Sequence, residues 1–157
     1  MARSNSTLSL WQRLAGLPGG QWLFARVVCR KAPYFGSIRP RIPVLQPGCC
    51  EVRITRRRAV LNHLGGVHAI AMCNMAELAA GMMTEVSIPA SHRWIPKGMQ
   101  VEYLGKAGTD LLARAAVEPL PDFGEAVELP VSVSITDTQD QLVCRAVITM
   151  WVSPRPT

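Results

Sequence analysis

The segment His68-Ala-Ile-Ala-Met-Cys-Asn-Met-Ala-Glu-Leu-Ala-Ala-Gly-Met-Met83, part of the longest nearly uncharged run of the chain, is rich in Ala, Met and Leu and predicts a helix. It is apolar around most of its circumference, so it must be buried on several sides. Four strand-like runs follow it: Met99 to Leu104, Leu111 to Glu118, Val127 to Thr136 and Leu142 to Val152. In the second, Leu111, Ala113, Ala115 and Val117 share one face; in the third, Val131, Val133 and Ile135 do. The last run carries apolar residues on both faces and reads as a central strand. Asp137-Thr-Gln-Asp140 is a polar hairpin between the last two.

Upstream of the helix, Cys50 to Thr55 alternates as a half-buried strand. Tyr34 to Leu45 reads as extended, with Pro40 and Pro43 confining it to an edge or a bend. Leu8 to about Lys31 reads as a helix in two pieces, interrupted at Leu-Pro-Gly-Gly. Its Trp11, Leu14, Leu17, Trp22 and Phe24 are the expected buried side. The order of helix, edge strand, strand, long buried helix and four antiparallel strands is met by one antiparallel sheet curling around one helix, an α+β arrangement. We expect an N-terminal helical segment over 1–31 packed on a domain over 32–157.

Composition agrees with a folded domain, since 48% of the 157 residues are hydrophobic and only 18% are charged. Glu77 lies in the middle of the nearly uncharged run Val67 to Met83, which argues against a membrane span. Five cysteines are an odd number without zinc-like spacing, which reads as reduced thiols in a reducing, cytoplasmic setting. His63, His68 and Cys73 recur at five-residue intervals that point to different sides of a helix, so no metal is expected.

The formal charge is +6, and no acidic residue precedes Glu51. A transit peptide is one reading of the basic N-terminus; a helical segment docked by its apolar residues is the other, and the one favoured here. Positive charge alone does not separate nucleic acid from the phosphates of a small molecule, and no nucleic-acid signature is present, so no nucleic-acid partner is expected.

Two features carry candidate chemistry. Glu77 would cost several kcal/mol if buried, ionised and unpaired. It must pair with an arginine such as Arg53 or Arg114, face a cavity, or act as a base or nucleophile made reactive by partial desolvation. The second feature is Gly65-Gly66-Val67-His68, where glycines permit close approach and the helix start leaves free amide donors. Such donors, with the helix dipole, can hold a developing oxyanion. The bland alternative is an ordinary glycine-rich loop.

Together, Asn62, Gly65, His68 and Glu77 reproduce the spacing Asn-x-x-Gly-x-x-His-(x)8-acid. In this the chain resembles hotdog-fold thioesterases of the phenylacetate-pathway type, over roughly Arg39 to Val152. Arg57-Ala-Val-Leu-Asn-His-Leu-Gly-Gly-Val-His-Ala-Ile-Ala and Arg93-Trp-Ile-Pro-Lys-Gly-Met resemble, more closely still, a bacterial hotdog family without an assigned function. The resemblance implies hydrolysis of an acyl-CoA thioester, with CoA entering only as part of the substrate and no separate cofactor. It makes Glu77 the base or nucleophile, Asn62 the group that orients nucleophile or water, Ala69 the oxyanion donor through its backbone N–H, and His68 the residue shaping the helix entry.

Nine residues separate His68 from Glu77, half a turn out of phase, so one chain does not easily present both to one substrate. The resemblance implies a site shared across a homodimer, alone or within a dimer of dimers. Arg56, Arg57, Lys97 and Lys106 are the candidate holders of CoA phosphates, with Gly65 and Gly66 at the substrate. The family writes His-Gly-Gly where this chain has His68-Ala69-Ile70, and a family hydroxyl has no counterpart in Trp94 to Lys97. A non-catalytic acyl-CoA or fatty-acyl binding module is therefore the alternative.

Overall fold

The computed structural model describes residues 5–156. Helices α1 (Ser6–Ala15) and α2 (Gly20–Lys31) lead through a 3-10 turn at Pro33–Ile38 into strands β1 (Arg41–Gln46) and β2 (Cys49–Ile54). Helix α3 (Ala69–Ser87) follows, then β3 (His92–Tyr103), β4 (Leu111–Ala116), β5 (Val127–Thr136) and β6 (Leu142–Pro154). The six strands form one antiparallel sheet in the order β1-β2-β4-β5-β6-β3.

The sheet curls around α3, which touches every strand. Met75, Ala79, Ala80 and Met83 of the helix are wholly buried against Val52, Ala113, Val131, Ile135 and Ile148 of the sheet's inner face. The expected alternation is observed in β4, β5 and β6, where every second residue turns inward. β6 lies between β5 and β3, as its two apolar faces require.

Three expectations are corrected. β3 begins at His92 rather than Met99 and runs through Pro96, with its register broken between Pro96 and Gly98. Being an edge strand it tolerates the missing donor, and being exposed over most of its length it shows no alternation by which to be read. The stretch from Tyr34 is a 3-10 turn before it becomes strand; the edge position of Pro43 is as expected, with the register shifting between Arg41 and Val44. In the N-terminal helices, Phe24 is buried and Trp11 and Leu14 pack against the core, but Leu17 and Trp22 are exposed.

Gly19 and Gly20 turn the chain between α1 and α2. Gly19 sits at φ +74, and a Cβ on Gly20 would lie 1.7 Å from the Leu14 carbonyl oxygen. The resulting hairpin is tied down at two points. Trp11 Nε1 donates to the Ile42 carbonyl at 3.0 Å, and Asn5 Nδ2 donates to the Glu85 carbonyl at 2.6 Å. These bonds lay the hairpin against β1 and α3.

Candidate active site

The loop before α3 is shaped by Asn62. Its side-chain oxygen accepts from the backbone amides of Leu64 at 2.9 Å and Gly66 at 3.1 Å, while its backbone N–H donates to the Gly66 carbonyl at 2.8 Å. An Asx turn of this kind needs a left-handed residue, supplied by Gly65 at φ +78. Gly66 is buried; a Cβ there would sit 3.3 Å from the Ala107 carbonyl oxygen. Val67 donates to that same carbonyl at 2.7 Å, and His68 to Val60 at 2.8 Å, so the entry to α3 is clamped from both sides.

His68 is the N-cap: extended at φ -63, ψ 139, with Nδ1 accepting from the Ile70 amide at 3.0 Å. The first helical bond runs from Met72 to the His68 carbonyl. Among the described residues, the amide of Ala69 has no acceptor. It is a free donor at the positive end of a 19-residue helix.

The neighbourhood is basic. Arg56 places Nη2 and Nε 2.7 and 3.2 Å from the Gly65 carbonyl, and its backbone amide donates to Asp110 at 2.8 Å. Lys106 is exposed on the loop whose next residue, Ala107, holds Val67. Arg57 reaches the Ser37 carbonyl with one guanidinium nitrogen, while its Nε is buried without a partner. Lys97 stands apart. It pairs with Glu128 and lies over the Trp151 ring, on the sheet face turned away from α3.

Glu77 lies on the other side of α3. It is half-buried and lines a cavity of about 430 Å³ between α3 and the α1–α2 hairpin, with Phe24, Val28, Met82 and Trp94 among the walls. Neither arginine considered as its structural partner takes that part: Arg114 pairs with Glu51 at 2.8 Å, and Arg53 is exposed on β2. Among the described residues no hydrogen bond or ion pair reaches the Glu77 carboxylate.

His68 lines a different cavity, of about 190 Å³, together with Ser37 and Asn74. Asn74 Nδ2 donates to Ser37 Oγ at 3.1 Å, and its Oδ1 is buried without a partner. One chain thus gathers Asn62, Gly65, Gly66, His68, Ala69, Arg56 and Lys106 at the start of α3 and puts Glu77 on the opposite side, some 13 Å along the axis.

The sequence reading missed two contributors to the Glu77 cavity. Glu85, two turns further along α3, accepts from Trp94 Nε1 at 2.8 Å. Gly81 allows that contact, since a Cβ there would meet the Trp94 ring at 2.8 Å. The second acid and the glycine were visible on the helix; that a tryptophan from the edge strand crosses to them was not.

The model of the family described as Domain of unknown function (DUF4442) matches residues 20–152. Among curated proteins none matches the chain. Among solved structures, a genomics-programme protein is similar at 47% identity, with TM-score 0.84 over 95% of this chain and 99% of that one. A thioesterase from Haemophilus influenzae is similar in fold at 13% identity and TM-score 0.68, over 77% of this chain and 82% of that one. A thioesterase family protein from Silicibacter pomeroyi is similar at 18% identity and TM-score 0.71, over 83% and 96%. With the curled sheet, the central helix and the family match taken together, the chain belongs to the DUF4442 family and is built on the hotdog fold.

Proposed function

We propose that the protein hydrolyses an acyl-CoA thioester at a site completed by a second copy of the chain. The observation that carries this reading is the unpaired Glu77 carboxylate facing an apolar cavity, while the free Ala69 amide lies on the opposite side of the same helix. Glu77 and the Ala69 amide are too far apart on one helix to meet one thioester, so a second copy in a twofold dimer would supply the complementary group.

Glu77 takes the proton of an attacking water, or attacks the carbonyl carbon itself and is then freed by water. The Ala69 N–H holds the oxyanion that forms on the thioester oxygen. The C–S bond breaks, the CoA sulfur takes the proton, and the acyl group leaves as a carboxylic acid. The Asn62 oxygen is committed to its own loop, so only its Nδ2 is available to orient water. Lys106 and Arg56, beside Gly65 and Gly66, are the better placed of the four basic residues to meet CoA phosphates; Lys97 is already engaged by Glu128.

Free-thiol release from a panel of acyl-CoAs, measured beside thermal melting, tests this on Glu77→Gln. The reading predicts lost turnover with unchanged melting, because no partner is stranded. Full turnover would contradict it. A second reading, a non-catalytic acyl-CoA binding module, draws on Ile70, which is exposed at the helix start where the thioesterases carry glycine. It predicts binding without Glu77-dependent turnover.

A further inference from the structure

The geometry points to the cavity between α3 and the α1–α2 hairpin as the acyl-chain site, which makes the N-terminal hairpin of the same chain the element that sets acyl length. This rests on the acyl-CoA reading above and adds the location and the residues. The cavity, of about 430 Å³, lies within the ordinary range for a small-molecule site. Its walls are largely hydrocarbon: Leu10 from α1, Phe24 and Val28 from α2, Phe35 from the 3-10 turn, Met82 from α3 and Trp94 from β3.

Ser6, Thr7 and Lys31 also border it, but most of its surface is apolar, and a sugar, a nucleotide or a peptide backbone filling it would leave most of its polar groups against hydrocarbon. Two carboxylates, Glu77 and Glu85, also face it, and Glu85 is held by Trp94 Nε1 at 2.8 Å. Glu77 is the unpartnered one. A neutral thioester with an apolar tail fits that combination, with the reacting carbon at Glu77 and the tail among the side chains of α2 and Met82. The tail therefore lies under the hairpin that Trp11 and Asn5 fasten to β1 and α3.

The position of the wall residues makes the proposal specific. Val28 is half-buried on the α2 side, so a larger side chain there projects into the cavity; Met82 is 8% exposed on the α3 side, so its truncation enlarges it. The two substitutions should move the length preference in opposite directions.

The test is calorimetric binding of straight-chain acyl-CoAs, from acetyl to dodecanoyl, to Glu77→Gln protein, which removes hydrolysis from the measurement. Affinity is expected to rise about fourfold per added methylene until the cavity is full, then level off. Adding Val28→Trp should bring the levelling to a shorter chain, and adding Met82→Ala should carry it to a longer one. Either variant alone suffices if the other fails to fold. Affinity independent of chain length, or a levelling point moved by neither, would overturn the proposal; it would mean that side chains of a second copy, or nothing, fill the cavity. Wild-type hydrolysis of the same series separates the two readings. Turnover without length dependence leaves catalysis standing and removes the pocket. Length-dependent binding without turnover does the reverse.

Discussion

Asn62→Ala is the perturbation whose magnitude the structure fixes best. The substitution removes the acceptor of two backbone amides, Leu64 and Gly66, at 2.9 and 3.1 Å. Leu64 is exposed and its amide can turn to water, so that bond contributes about 1 kcal/mol. Gly66 is buried, and stranding its amide costs about 1–2 kcal/mol. The total, about 2–3 kcal/mol, corresponds to a fall of roughly 5–10 °C in Tm for a chain of this size. Asn62→Asp keeps an oxygen that accepts from both amides and should melt near the wild type, while replacing the Nδ2 donor with oxygen. If Nδ2 orients the attacking water, Asn62→Asp loses kcat with its stability intact. If Asn62 only shapes the loop, Asn62→Asp stays active. Thermal melting and thiol release on both variants are the assay, and an Asn62→Ala protein that melts like the wild type would refute the reasoning.

Gly81→Ala gains about 1 kcal/mol of helix propensity but pushes a methyl to 2.8 Å from the Trp94 ring, an overpacking that costs about 1–3 kcal/mol, so a net loss of stability is expected in thermal melting. Trp94→Phe, which shortens the ring, should remove that loss. Alkaline stability follows from the buried thiols: burial holds the Cys144 thiol up at about 11 and raises that of Cys50 further. The unfolded chain releases these protons first, so their contribution is complete below about pH 9 and is lost as pH rises towards the folded values. Denaturant midpoints measured from pH 8 to 11 should fall, and Cys144→Ala should flatten the decline; a midpoint independent of pH would contradict the assignment.

Much of the fold could be read in the order of apolar residues because the buried elements carry a period. Strands β4, β5 and β6 meet the core on one face, so period and burial coincide there, while helix α3 is legible as a long run apolar nearly all round because the sheet wraps it. β3 was read short because its first half is an exposed edge whose side chains answer to no core. The candidate site divides in the same way. Asn62, Gly65, His68 and Glu77 are local in sequence and were legible as a spaced set. The hairpin roof over Glu77 was not, since Phe24 and Trp94 come to the same cavity from residues 53 and 17 positions away, and only the closed fold brings them there. Leu17 and Trp22, read as buried, are exposed because they belong to the turn and first turn of α2 rather than to its docked side.

The shared site is the central claim, and complementation between two inactive chains tests it most directly. Ala69→Pro deletes the one amide assigned to the oxyanion at a position where proline is well tolerated, the first residue of a helix, after a His68 whose φ and ψ are already extended. Glu77→Gln deletes the acid. Each homodimer should be inactive, whereas unfolding and refolding the two chains together should restore roughly a quarter of wild-type thiol release, since half the dimers are mixed and each mixed dimer keeps one complete site. Mixtures that stay as inactive as either parent, from variants that fold and dimerise, would contradict a site built from the Glu77 of one chain and the Ala69 amide of the other.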